Sequence, residues 1–104
     1  MSYLTFVNYC KKFDKSGFSK GLKMLAAIDK IADKFNWKVE TQYRDDGRIS
    51  VWVRDCRSMP VCNEEGEGIV DVFSALLEKI IRKARNEVES FNSVLDEAES
   101  HLTE

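Results

Sequence analysis

Beyond Gly66-Glu67-Gly68 the chain runs to its end without another glycine or proline, and apolar residues recur at helical spacing as far as Leu102. A continuous helix over 68–103 would be ~54 Å long at about 1.5 Å per residue, roughly twice the width of the domain the remaining residues can build. Something has to cover the overhang. The pattern therefore predicts contact with another surface, and it names no reaction.

This helix has two regimes. Ile69, Val70, Val72, Phe73, Leu76, Leu77, Ile80 and Ile81 are too many for one narrow stripe, so the first half should be buried against a sheet. Farther on the stripe narrows to Leu77, Ile81, Ala84, Val88, Phe91, Leu95, Ala98 and Leu102, spaced alternately by four and three. That is the seam of a coiled coil, and its natural partner is another helix. Lys79, Arg82, Lys83 and Arg85 make the middle of the helix basic. Its end carries Glu87, Glu89, Asp96, Glu97, Glu99 and Glu104 with no lysine or arginine. Antiparallel pairing of two copies through this C-terminal helix would bring opposite charges together, and parallel pairing would not. The competing arrangement folds residues 2–13 back along the seam and leaves a monomer, but a helix of that length covers only ~18 Å. A dimer is favoured.

Upstream the reading is mixed. Tyr3, Phe6, Cys10 and Phe13 recur as in a helix, while Tyr3, Thr5, Val7 and Tyr9 alternate as in a strand. A short helix over Ser2 to Phe13 is expected, with Lys15-Ser16-Gly17 as its exit and Ser19 as the cap of the next. From Lys20 to Asn36, Leu22, Leu25, Ile28, Ala32 and Phe35 line one face of an amphipathic helix, and Asn36 suits a left-handed exit. The period then changes to two. Trp37, Val39, Thr41 and Tyr43 alternate with polar residues, Asp45-Asp46-Gly47 supplies a turn, and Ile49, Val51 and Val53 continue on a second strand. Trp52 is the exception, an aromatic on the face of Ser50 and Arg54. A third, short edge strand over Ser58 to Cys62 carries Pro60, and Asn63 to Gly68 reads as an acidic loop. The expected fold class is α+β in the order α-α-β-β-β-α, with a three-stranded antiparallel sheet held between the Lys20–Asn36 helix and the first half of the long one. One domain spans 1–104, with 1–17 an N-terminal helical segment and 85–104 a helical extension.

Composition narrows the function classes. With 43% hydrophobic and 33% charged residues over 104 positions and a net charge of -2, neither disorder nor a strongly basic nucleic-acid binder is expected. No apolar run is long enough for a membrane span, and Met1 to Cys10 lacks the sections of an export signal, so a cytoplasmic location is expected. Cys10, Cys56 and Cys62 are odd in number and read as reduced, partly buried thiols. With His101 as the only histidine and no Cys-x-x-Cys, no metal site and no cofactor are expected. Asp45-Asp46 and Glu64-Glu65 read as turn residues, no Ser-His-Asp or Cys-His set lies near the core, and Gly66-Glu67-Gly68 lacks a phosphate-binding lysine. Catalysis is not expected.

Helix, three strands and helix, from Leu22 to Ile81, is also the order of a double-stranded-RNA-binding domain. That family grips phosphates with a lysine cluster at the start of its last helix. Here the matching segment is Gly68-Ile69-Val70-Asp71-Val72-Phe73, without lysine. A nucleic-acid-binding accessory role would have to use Lys11, Lys12, Lys15, Lys20 and Lys23 instead.

Ala26-Ala27-Ile28 through Asn36-Trp37-Lys38-Val39-Glu40, then Arg48-Ile49-Ser50-Val51-Trp52-Val53, then Glu65-Gly66-Glu67-Gly68 running into Phe73-Ser74-Ala75-Leu76-Leu77, resemble the small phage-encoded alpha-beta-alpha sandwich domain. The resemblance implies a phage accessory protein in the host cytoplasm, of the class that blocks bacterial defence complexes, such as an anti-CRISPR or an inhibitor of a host nuclease. The expected partner is then a host protein complex, occluded sterically by Trp52, Arg54 and Arg57 on the outer strand face and by Phe91, Leu95 and Leu102 on the overhang. A structural homodimer using the overhang on itself is the remaining alternative.

Overall fold

The computed structural model describes residues 3–102, which form α1 (Tyr3–Phe13), α2 (Phe18–Lys34), β1 (Lys38–Tyr43), β2 (Arg48–Arg54), β3 (Pro60–Glu67) and α3 (Ile69–Ser100). This is the expected α+β order, and Ser2 lies outside the described residues. The sheet is antiparallel with β2 in the centre. Its register sets Val39, Val53 and Cys62 in one row, Thr41, Val51 and Glu64 in the next, and Tyr43, Ile49 and Gly66 in a third, all on one face. The opposite face carries the rows Glu40–Trp52–Asn63 and Gln42–Ser50–Glu65.

All three helices pack on the first face, which corrects the expected sandwich to two layers. Ile49, Val51 and Val53 are buried there together with Phe6 of α1, Leu25, Ile28 and Ala32 of α2, and Val72, Phe73, Leu76 and Ile80 of α3. The many apolar residues of Ile69 to Ile81 serve two neighbours at once, the sheet below and α2 beside it. Gly21 of α2 abuts Ile69 so closely that a Cβ there would collide with the Ile69 Cγ2, and the Ser74 hydroxyl donates to the Met24 sulfur at 3.6 Å. Phe35, just past α2, borders the same notch as Ala84 and Val88. The two helices thus run parallel and in step, and α2 stops where α3 continues.

Local chemistry explains the boundaries. Asn36 adopts φ 58 and Gly47 φ 91, so the expected left-handed exit and the hairpin turn are both present. Ser19 lies inside α2 instead of capping it, because α2 begins one residue earlier at Phe18. Asp14 takes over: one carboxylate oxygen accepts from the Gly17 N–H at 3.0 Å and the other from the Ile69 N–H at 2.9 Å. The second bond reaches across the fold to the start of α3, whose own N-cap residue, Gly68, has no side chain to offer. Tyr9 works at the same place. Its hydroxyl donates to the Gly47 carbonyl at 2.6 Å and accepts from the Gly68 N–H at 3.4 Å, while burial pushes its pKa up.

β3 is longer than expected, and the acidic segment Asn63 to Glu67 is strand instead of loop. Asn63, Glu65 and Glu67 are exposed on the open face, so their charge costs the strand little. Glu64 points to the helix side and is held by the Lys79 ammonium of α3 at 2.7 Å. The turn before β3 is closed by Asp55, whose carboxylate accepts from the N–H groups of Arg57 and Met59, both at 2.9 Å.

Two outcomes follow. Asp14→Ala should lower stability by about 1 kcal/mol in urea unfolding, because it orphans the Ile69 N–H and leaves the Gly17 N–H only its longer bond to the Asp14 carbonyl, and Asp14→Asn should recover part of that loss. The Lys79 contact, chiefly its hydrogen bond, holds the Glu64 carboxyl below its usual range. A depressed folded-state pKa stabilises above the unfolded value and is lost as pH falls through the folded one. The stability difference between wild type and Lys79→Met should therefore be present at neutral pH and vanish on acidification below the carboxylate range.

Candidate interaction surfaces

At about 1.5 Å per residue α3 is ~48 Å long, and only its first half has the fold beneath it. Every residue from Arg85 to Ser100 is exposed. The molecule measures 64 × 24 × 19 Å, and its radius of gyration of 16.9 Å exceeds the ~13 Å of a compact chain of this size. The second half of α3 is a projecting arm, unbroken by any hairpin. Along it Val88, Phe91 and Leu95 are 48, 69 and 53% exposed, and Leu102, 84% exposed, follows in the turn beyond Ser100, where α3 ends short of the expected residue 103. With about 100° per residue, they continue the stripe that Ile80 and Ala84 begin, on the side of α3 that faces α2 lower down. Val94, 64% exposed, widens the stripe, and its place outside the four-three spacing hid it from the pattern.

Residues 3–13 do not cover this ridge. Phe6 is buried against Phe73 and Phe18, with ring centroids 6.1 and 5.7 Å away, and Tyr9 packs on Tyr43 at 5.3 Å. All of these contacts lie in the head, so the fold-back arrangement is not the one adopted. Where α2 ends, Phe35, Ala84, Arg85, Val88 and Glu89 line an open notch of ≈ 360 Å³ at the root of the arm. Phe35, expected on the core face of α2, is half-buried and stacks on Trp37 at 4.7 Å.

The open sheet face is the second surface. Trp52 lies half-buried at its centre between Glu40 and Asn63. Arg54, also half-buried, donates to the Ser58 carbonyl at 3.5 Å. Arg57 is not on this face, because it belongs to the turn that Asp55 closes. Arg44 and Arg48 both reach Glu65, at 3.3 and 3.7 Å. Ser50, only 3% exposed, has a hydroxyl with no hydrogen-bond partner.

The remaining candidates are dispersed. Lys11 and Lys15 line a shallow notch with Val7, Cys10 and Phe18, whereas Lys12 leans over the Phe13 ring at 5.1 Å. Lys20 and Lys23 are exposed on α2. At the start of α3, Ile69, Val72 and Phe73 are buried and Asp71 is exposed, so that helix end offers an anion no basic side chain. Cys10 is buried and Cys62 half-buried, but Cys56 is exposed in the turn, which corrects the expectation of three sheltered thiols. Among the described residues no group of three or more His, Cys, Asp or Glu is placed to hold a metal ion, and no helix is long and apolar enough to cross a membrane. Comparison with known protein families, curated proteins and solved structures finds no match.

The exposure of the arm has a direct thermodynamic consequence. Phe91→Asp should leave the melting temperature of the head, followed by near-ultraviolet circular dichroism, unchanged. Phe73→Ala, in the core, should cost about 3–5 kcal/mol.

Proposed function

We propose that this protein is a non-catalytic interaction module that works by laying its projecting helix, and secondarily its open sheet face, against other protein. The observation that carries the reading is the apolar ridge of α3, which outruns the head and, beyond Phe35 at its root, has no other segment among the described residues against it. Contiguous exposed apolar surface of this kind marks interaction sites. Fully burying Val88, Phe91, Leu95 and Leu102 is worth about 1.5–3 kcal/mol each. That total is comparable with the 4–15 kcal/mol association costs, so the ridge alone supports weak contacts and a second surface is needed for tight ones. Trp52 offers the anchor for it.

The resemblance to a phage accessory domain gives the reading its biological form: a host protein complex whose substrate groove is occluded by the helix and the aromatic anchor. Affinity capture from bacterial lysate tests it. Wild type should retain a stoichiometric protein, Phe91→Asp/Leu95→Asp should lose it, and Trp52→Ala should weaken it about tenfold or more. Recovery of no stoichiometric protein, or recovery indifferent to all three substitutions, refutes the occlusion reading.

A further inference from the structure

Taking α3 as a docking arm, and so resting on the reading above, we infer that in the free protein the occupant of its ridge is a second copy of this chain, laid antiparallel, which any other partner of the ridge has to displace, so that two arms form a two-stranded coiled coil with one head at each end. Three features of the arm select that occupant over a foreign helix.

Packing comes first. In the seven-residue repeat, Val88, Leu95 and Leu102 hold one seam position and Ala84, Phe91 and Ala98 the other. Antiparallel helices face the first class with the second, which gives the layers Ala84–Leu102, Val88–Ala98 and Phe91–Leu95, each repeated across the two-fold axis. Every layer but the central one sets a small residue against a larger one. A parallel pair would instead stack alanine on alanine twice and phenylalanine on phenylalanine once, leaving gaps beside a bulge. The same register brings Leu102, 84% exposed, to Ala84 and thus to the ≈ 360 Å³ notch beside Phe35. It also sets Val94 against Val94 beside the axis, which accounts for a valine exposed off the seam.

Charge is the second feature. In this register Arg85 of each copy flanks Glu99 of the other, Glu87 flanks His101, and Asn92 meets Asn92, so no like charges face each other along the seam. Parallel copies would instead set the basic stretch Arg82, Lys83 and Arg85 level with its counterpart and the acidic tails level with each other, a longer-range repulsion that the antiparallel pair avoids. The third feature is the helix terminus. The last turns of α3 carry Glu97 and Glu99 and no basic residue, the wrong sign for the negative end of the helix dipole. The arriving Arg85 of the second copy supplies the missing positive charge at that end.

The overlap of residues 84–102 spans about 27 Å, a small interface of the size class that weak, transient contacts use. Sedimentation equilibrium of the full chain at low salt tests it, with circular dichroism confirming that each variant is folded. Wild type should be a dimer at micromolar concentration. Arg85→Glu and Glu99→Arg should each weaken association about tenfold or more, since each loses two attractive contacts and gains two repulsive ones. The double exchange Arg85→Glu/Glu99→Arg should restore it. A monomer throughout overturns the assignment, and so does a dimer that the double exchange fails to rescue. A monomer that still captures a stoichiometric protein through Phe91 and Leu95 overturns the second-copy occupant and leaves the interaction-module reading standing. A monomer indifferent to substitution at Phe91 and Leu95 in both assays removes the two together.

Discussion

The arrangement turns on where α1 spends its hydrophobic and hydrogen-bonding groups. Phe6 stacks on Phe73, and Tyr9 and Asp14 close on the backbone at Gly47, Gly68 and Ile69, so the amino-terminal helix is committed to the root of α3. A buried aromatic and charge-assisted bonds to otherwise orphaned N–H groups are worth more than the solvent-side contacts α1 would make along the arm. That commitment fixes the starting point of α3, joins the hairpin turn to it, and leaves the far half of the helix bare.

A bare helical arm needs its own explanation, because isolated helices of this length are marginal in water. Here the costly nucleus is already formed: the arm continues a helix whose first half is clamped by α2, the sheet and the Lys79–Glu64 bridge. Propagation then needs only side chains that tolerate helix. The acidic end works against this, which is why the arm is best understood together with whatever lies beside it.

Much of this was legible in the residues. The hairpin, the left-handed Asn36, the amphipathic α2 and the unbroken α3 all rest on strong local signals: period, turn chemistry and the absence of glycine and proline. What was not legible depends on three-dimensional context. Period alone does not say whether two helices share a face of the sheet, and only the parallel fit of Gly21 on Ile69 settles it. The acidic segment Asn63 to Glu67 has poor strand propensity, yet pairing with β2 on one side and alternate exposure of its charges override that. Arg57 looked like a strand residue because the turn-closing role of Asp55, with its two backbone bonds, is not visible in spacing. Of the interaction surfaces, the seam residues were readable, while Val94 and the Phe35 notch required knowing where α2 stops.

Because the core ends near Ala84 while the helix goes on, reach and stability are set by different parts of the chain. Inserting or deleting one seven-residue unit in the arm would change the span by about 10 Å and keep the stripe in phase, without a single buried side chain of the head being disturbed. The protein is in that sense a ruler attached to a fixed handle, and the ruler can lengthen or shorten without the handle being rebuilt.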